Sequence, residues 1–289
     1  MKIAVTAASG RLGHALLRLL PEQAGVADIV AVARDPARVQ VPGIEKRSGD
    51  YQSPDGMRAA LRGIDTVVMI SAPVAAGGER VGLHRNVIAA ARRSGVQRVL
   101  FTSVIGNGLE MDTMFGATQK VNRQTEADLQ DSGLGWLIGR NGLYLELDLI
   151  QMRKANETGV YTNPAGEGRC PYISIDEIAY AYARLATDGG QSGKIYNISG
   201  EALSQAALLR LACEVFGLRV RYEVISDEEC IAKFLALMPQ RGEAVARMLT
   251  GCFQSIRAGA FDVPSHFREA TGRPAKSVRE MMLEIRSAT

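Results

Sequence analysis

Over roughly the first 140 residues, short apolar runs alternate with stretches in which apolar side chains recur every three to four positions, the pattern of parallel strands joined by crossover helices. The runs Lys2–Val5, Asp28–Ala33, Ile44–Gly49, Thr66–Ile70, Arg98–Thr102 and Leu134–Ile138 predict strands. Leu12, Leu16, Leu19 and Leu20 line one side of a helix that ends at Pro21. Leu83, Val87, Ala90 and Ala91 form a second helix face, with Gly95 placed as a C-cap glycine. Because strand–helix–strand crossovers are right-handed, this order folds into an α/β doubly wound parallel sheet.

Near residue 140 the pattern changes. Ile195–Ile198 predicts one further strand, while Leu203–Val215, Glu228–Met238 and Glu243–Phe253 read as helices. Ile231, Phe234, Leu235 and Met238 make a regular apolar stripe in the second of these. The expected division is an α/β domain over residues 1–142, its sheet completed near 195–198, with 143–289 mostly a small, mainly helical C-terminal lobe. Ligands of such sheets sit over the carboxyl ends of the strands, so the lobe would roof a cleft.

Composition narrows the classes. Of 289 residues 46% are hydrophobic and 22% charged, as in an ordinary globular protein. Lys and Arg total 34 against 31 for Asp and Glu, and they are scattered, so no nucleic-acid footprint is expected. The chain enters a strand at once and has no apolar run long enough to span a membrane, which predicts a cytoplasmic protein. Cys170, Cys213, Cys230 and Cys252 lie far apart, as do His14, His84 and His266, so neither a metal site nor a Ser-His-Asp relay is expected.

The candidate chemistry begins at "TAASGRLG", Thr6 to Gly13, between the first strand and first helix. Gly10 and Gly13 open the helix where missing side chains let phosphate oxygens approach backbone N–H groups, an anion site inside a β-α-β unit. Ala7 stands where a dinucleotide-binding turn usually has its first glycine. If φ there is positive, alanine costs about 1–2 kcal/mol; if negative, only methyl bulk matters. Ser9 and Thr6 can serve either the turn or a phosphate, and Arg11 can reach the phosphates.

The second strand ends in Val32-Ala33-Arg34-Asp35-Pro36. An NAD site generally places Asp or Glu there for the ribose 2′-OH, whereas Arg34 suits a 2′-phosphate through hydrogen bonds worth about 1.5–3 kcal/mol, which favours NADP(H). Asp35, before proline, reads as a cap for the following turn.

Together, "TAASGRLGHALLRLL", "AVARDPARV", "GDYQSPDGM", "ISAP", "HRNVIAAARRSGVQRVLFTS" and "RNGLY" resemble, in order and spacing, the NmrA-like branch of the atypical short-chain dehydrogenases/reductases, in particular its type-2 quinone oxidoreductases and triphenylmethane reductases. The resemblance implies an NADPH-binding Rossmann domain and a cleft for flat, conjugated acceptors. It places the coenzyme on Thr6, Ser9, Gly10, Arg11, Leu12 and Gly13, on Arg34, on Asp50 and Tyr51 near the adenine, and on Ser71, Ala72 and Pro73 along its length. Thr102, Ser103 and Asn141 fall beside the nicotinamide, and Ser103, Asn141 and Tyr144 are the catalytic candidates.

Many short-chain reductases pair a proton-donating tyrosine with a lysine in Tyr-x-x-x-Lys. "FGATQKVNRQTEADL" lacks it: Phe115 and Lys120 are five apart, and Asn122 takes the usual lysine position. Lys120 either faces the cleft or is a solvated helix residue. A quinone accepts hydride readily and its reduced anion is delocalised, so such an acceptor needs alignment and solvent exclusion more than a dedicated acid. Leu143, Tyr144, Phe234 and Met238 are candidate pocket walls, with plain core packing the favoured reading for Phe234. Three functions follow: an NADPH-dependent reductase of conjugated acceptors by direct hydride transfer, without flavin or metal; a non-catalytic NADP(H)-sensing regulator with a protein partner; and a nucleotide-sugar isomerase or epimerase, which would need a tyrosine such as Tyr144 over the nicotinamide. A homodimer is compatible with all three.

Overall fold

The computed structural model describes residues 1–23, 28–73, 79–187 and 192–288. Its first part alternates β1 (Lys2–Val5), α1 (Arg11–Leu19), β2 (Asp28–Ala33), β3 (Glu45–Ser48), α2 (Pro54–Ala60), β4 (Thr66–Met69), α3 (Arg80–Arg93), β5 (Arg98–Val104), α4 (Gly116–Gln130) and β6 (Gly135–Asn141). The predicted strands are all present. The fifth and sixth run further than the apolar pattern does, because their polar ends, Ser103 and Asn141, stay paired in register Ser103↔Arg140 and Val104↔Asn141. β3 is polar throughout, as an edge strand facing water can be.

The chain continues through β7 (Leu143–Tyr144), α5 (Leu145–Ala155), β8 (Val160–Asn163), β9 (Arg169–Ile173), α6 (Ile175–Thr187), β10 (Lys194–Ile198), β11 (Ala202–Ser204), α7 (Gln205–Phe216), β12 (Arg221–Val224), α8 (Asp227–Leu237), α9 (Gly242–Arg257), α10 (Phe267–Thr271) and α11 (Val278–Ser287). The expected mainly helical lobe thus also contains two small sheets, β11-β9-β7 and β12-β8. The predicted helix at Leu203 begins at Gln205 instead, because Leu203 and Ser204 pair with Cys170 and Arg169 and Ser204 then caps the helix at Ala207 N–H.

Seven parallel strands form one sheet in the order β10-β6-β5-β4-β1-β2-β3. Apolar cores cover both faces. Leu16, Leu17, Leu100, Leu137, Ile178 and Ala179 pack beneath α1 and α6, while Met57, Val67, Val87, Val99 and Phe101 pack beneath α2, α3 and α4. The four residues of β4 are all buried, as expected of a central strand covered on both sides. α6 and β10 return from the second half of the chain to the sheet, so its architecture draws on residues well beyond 142.

Tyr182 of α6 links this packing to the strand ends. Its buried hydroxyl lies 2.8 Å from Gly139 O, 3.1 Å from Asn141 Oδ1 and 3.3 Å from Phe101 O. Tyr182→Phe keeps the ring and removes this donor, so it should lower stability by about 1–2 kcal/mol, read as a shifted urea midpoint with an unchanged slope.

Candidate functional site

The chain leaves β1 in one direction to build β2 and β3, then resumes at β4 on the other side of β1. That reversal puts a crevice over the carboxyl ends of β1 and β4. The segments singled out in the sequence gather there: the turn after β1, Arg34 after β2, Asp50 and Tyr51 after β3, Ser71–Pro73 after β4, Thr102 and Ser103 at the end of β5, and Asn141–Tyr144 at the end of β6.

The turn is pinned from two sides, with Ala8 N–H donating to Val32 O (3.1 Å) and Gly10 N–H to Ala7 O (3.0 Å). Ala7 has φ of 49°, so this corner is the left-handed, costly case. Gly13 must be glycine for packing, since a Cβ there would lie 2.6 Å from Ala8 O. α1 then begins with no side-chain cap and no acid in its first turn, which leaves its opening amides and the positive end of its dipole for an external anion. Leu12 is buried beneath the turn, Ser9 is half-buried and Arg11 is exposed. A cleft of about 370 Å³ beside the turn is lined by Ser9, Arg11 and His14 on one side and by Glu146 and Asp176 on the other.

The Thr6 hydroxyl serves the fold rather than a phosphate. It accepts Ile70 N–H (3.2 Å) and donates to the Tyr51 hydroxyl (2.5 Å), which in turn donates to Ile70 O (2.7 Å); Val68 O lies 3.3 Å away. Tyr51 therefore laces β1 to β4, and burial pushes its pKa up. Asp50, half-buried, accepts Gln52 N–H (3.0 Å). Arg34 is exposed at the end of β2, and no ion pair engages it among the described residues. Asp35 accepts Ala37 N–H (3.0 Å) as the cap of the Pro36–Arg38 turn, matching the sequence reading. His14 of α1 supports the same edge, donating from Nδ1 to Gly10 O (3.0 Å) while Nε2 accepts Gln40 N–H (3.2 Å).

At β4, Ser71 N–H donates to Thr102 Oγ1 (2.8 Å). Ala72 is buried and Pro73 exposed. Two residues absent from the sequence reading of the site, Arg80 and His84 of α3, bind this segment. Arg80 Nε donates to Ala72 O (3.1 Å) and Nη2 to Ser71 Oγ (2.7 Å), and Ala72 N–H donates to His84 Nε2 (2.9 Å). The sequence signal is one of position and names no partner: Arg80, His84, Val87 and Ala91 fall on one helix face, so two polar residues extend an apolar stripe toward a strand end.

Ser103 is turned away from free chemistry. Its hydroxyl donates to buried Glu126 Oε1 (2.5 Å), and Glu126 also accepts Arg123 Nη1 (2.6 Å) and Arg140 Nη2 (2.6 Å). Asn141 is buried, with Oδ1 toward Tyr182 and Nδ2 3.5 Å from the Tyr144 hydroxyl. Burial pushes Tyr144 up to about 12, so it is a neutral phenol at any physiological pH. Lys120 is exposed on α4, the solvated alternative. Counting four back from Asn122 puts Thr118 where a dyad tyrosine would stand. Phe234 is buried and stacks on Phe253, so it is core; Leu143, Tyr144 and Met238 are half-buried. Among the described residues no three His, Cys, Asp or Glu side chains converge as metal ligands, and no helix is long and apolar enough to cross a membrane.

Burial, with the Arg80 charge added, drops His84 from 6.5 to about 3. Between these values the unfolded chain holds a proton that the folded chain lacks, so stability falls as pH drops through the window, by up to about 1.4 kcal/mol per pH unit. Asp148, pushed up to about 6 by burial, acts in the opposite sense over part of that window. The measurement is therefore a difference: between pH 7 and 5 the urea midpoint of wild type should fall relative to that of His84→Gln, and parallel profiles would refute the assignment.

The sequence pattern of an NAD(P)H-binding family matches residues 7–186. Quinone oxidoreductase 2 of Escherichia coli is 32% identical over 98% of both chains. The crystal structure of the NADPH-dependent quinone oxidoreductase QOR2 from E. coli, in complex with NADPH, superposes with a TM-score of 0.87 at 29% identity, covering 98% of this chain and 99% of that one. An NAD(P)H azoreductase of Xenophilus azovorans is 27% identical over 96% of each chain. The Citrobacter sp. triphenylmethane reductase in complex with NADP(H) shares the fold, with a TM-score of 0.85 at 24% identity over 99% of this chain and 100% of that one. With the uncapped turn, the reversal of strand order and this agreement along the chain, the protein belongs to the NAD(P)H-binding, NmrA-like family.

Proposed function

We propose that the protein is an NADPH-dependent reductase that passes hydride directly to a quinone-like or other conjugated small molecule. The observation that carries the coenzyme half is the pairing of an uncapped α1 N-terminus with the exposed Arg34, one strand over and, among the described residues, without an ion-pair partner. The amides of Arg11, Leu12 and Gly13 hold the diphosphate, and Arg34 binds the 2′-phosphate. When bound, reduced nicotinamide supplies the hydride. Ser71, Ala72, Thr102 and Asn141 border that end of the crevice and align the reactants.

The acceptor class follows from what the protein offers as acid. Thr118 and Asn122 replace a tyrosine–lysine dyad, Ser103 is committed to Glu126, and the Tyr144 phenol has Asn141 rather than a cation beside it. Such a site suits an acceptor whose reduced form is already stabilised by conjugation and takes its proton from water. A simple ketone, which leaves a localised alkoxide, needs more. The E. coli and Xenophilus relatives, named for quinone and azo reduction, support this choice. The Tyr144 environment disfavours the epimerase alternative, which relies on a tyrosine tuned to exchange protons near neutrality.

Purified protein should oxidise NADPH in the presence of a short panel of quinones, followed by loss of reduced-nicotinamide absorbance. Binding of NADPH with no oxidation across the panel would favour a dinucleotide-sensing regulator instead. Arg34→Ala should weaken NADPH binding by about ten- to hundredfold and leave NADH nearly unchanged. Equal losses for the two coenzymes would remove Arg34 from the 2′-phosphate.

A further inference from the structure

We infer that Arg80 and His84, one turn apart on α3, are positioning residues that clamp Ser71 and Ala72 against the part of the coenzyme shared by NADPH and NADH. The inference rests on the coenzyme reading above and assigns a role to two residues that contact the strand end from behind the crevice.

The clamp is built from side chains because β4 has ended. Past Met69 the segment leaves the ladder, and its peptide groups need partners from elsewhere. Ala72 has both of its backbone groups taken by α3, N–H by His84 Nε2 and C=O by Arg80 Nε. Ser71 is held by Thr102 at its N–H and by Arg80 at its hydroxyl. The segment bordering the reversal point is thereby fixed at successive residues.

Each clamping group is itself held. His84 donates from Nδ1 to Thr125 Oγ1 (2.8 Å), and that hydroxyl donates to Val121 O (2.9 Å), which leaves Nε2 as the acceptor Ala72 requires. The imidazole also packs edge-on against Phe101, with ring centroids 5.4 Å apart. Arg80 donates from Nη2 to Asn122 Oδ1 (3.3 Å); Asn122 donates to Gln119 Oε1 (3.1 Å), and Gln119 to buried Glu110 (2.9 Å). A cation therefore sits beside the position where the lysine of a dyad would stand, delivered from a different helix.

The charge makes this more than a tether. Arg80 is only 4% exposed, and no carboxylate pairs with it among the described residues. Burial lowers its pKa to about 10, which still leaves it protonated at neutral pH. A buried guanidinium facing only neutral acceptors is costly, and an anionic ligand entering the crevice offsets that cost. A tether alone could have been made from a neutral side chain.

The test compares coenzyme binding with stability. NADPH and NADH dissociation constants, measured by calorimetry, are taken for Arg80→Gln, His84→Phe, His84→Gln and Ser71→Ala beside thermal midpoints. Arg80→Gln should weaken both coenzymes by about tenfold and by the same factor, Ser71→Ala by a smaller common factor, and His84→Gln should recover part of what His84→Phe loses. In turnover, KM for NADPH should rise while KM for the acceptor stays put. This signature differs from that of Arg34→Ala, which separates the two coenzymes. Lower midpoints with unchanged dissociation constants would reduce the clamp to a purely structural role and overturn the inference. If Arg80→Gln does not fold, Ser71→Ala, which removes one surface of the contact, decides on the same criterion. A wild-type protein that binds neither coenzyme overturns the coenzyme reading, and the clamp with it; binding without turnover leaves the dissociation constants to judge the clamp alone.

Discussion

An anion can rest on the first turn of α1 only because, among the described residues, no side chain caps the amides that open that helix. Everything nearby keeps them free and correctly aimed. Gly13 lets the helix approach within contact of Ala8, and the Val32 carbonyl takes the Ala8 amide, so the turn cannot fold back on the helix end. Thr6 and Tyr51 tie the end of β1 to Ile70 at the end of β4, which fixes the two lips of the crevice relative to each other. Asp35, just after β2, spends its carboxylate on Ala37 N–H, while Glu146 and Asp176 line the far side of the cleft from Arg11. In the proposed reading, the electropositive helix end and the exposed Arg34 act on the same ligand.

The polar residues buried along α3 and α4 set what chemistry this frame can perform. Glu126 is shared by Arg123, Arg140 and Ser103, a cluster whose charges are met by partners and whose serine proton has a fixed destination. Such a cluster stabilises by avoiding unpaired buried charge more than by adding net attraction. Its chemical consequence is subtraction: a hydroxyl at the end of a central strand, in the place expected of a proton donor, is withdrawn. What remains at the crevice is a phenol raised by burial and a set of amides and backbone groups. These orient and exclude water, which matches an acceptor that needs hydride more than it needs acid.

Most of the sheet was legible because both of its faces are buried, so its central strands are apolar runs bounded by turn residues; the edge strand β3 is polar. The turn after β1 and Arg34 stood out for a related reason: the proposed anion site calls for glycine and arginine at fixed distances from a strand end. The lobe was less so. β8, β9 and β12 are short and carry residues such as Tyr161, Asn163 and Arg169, whose pairing depends on partners remote in sequence. Arg80 and His84 escaped because a polar residue on an apolar helix face has no stated partner until the fold brings Ala72 to it. Ser103 was placed correctly at its strand end, yet its sequence position could not tell that Glu126, one turn after Asn122 on α4, would claim its proton.

Ala7 ties these threads together. Its φ of 49° belongs to a conformation that costs an L-residue about 1–2 kcal/mol, and no glycine relieves it. The strain persists because its neighbours are over-determined: Thr6 is held by three groups, Ala8 by Val32 O, and Gly10 by the Ala7 carbonyl itself. Relaxing Ala7 toward negative φ would withdraw the Ala8 amide from Val32 O of β2. The chain therefore keeps a local distortion of one residue so that the opening turn of α1 stays seated between β1 and β2, and the stability of that corner depends on strands that the turn itself never enters.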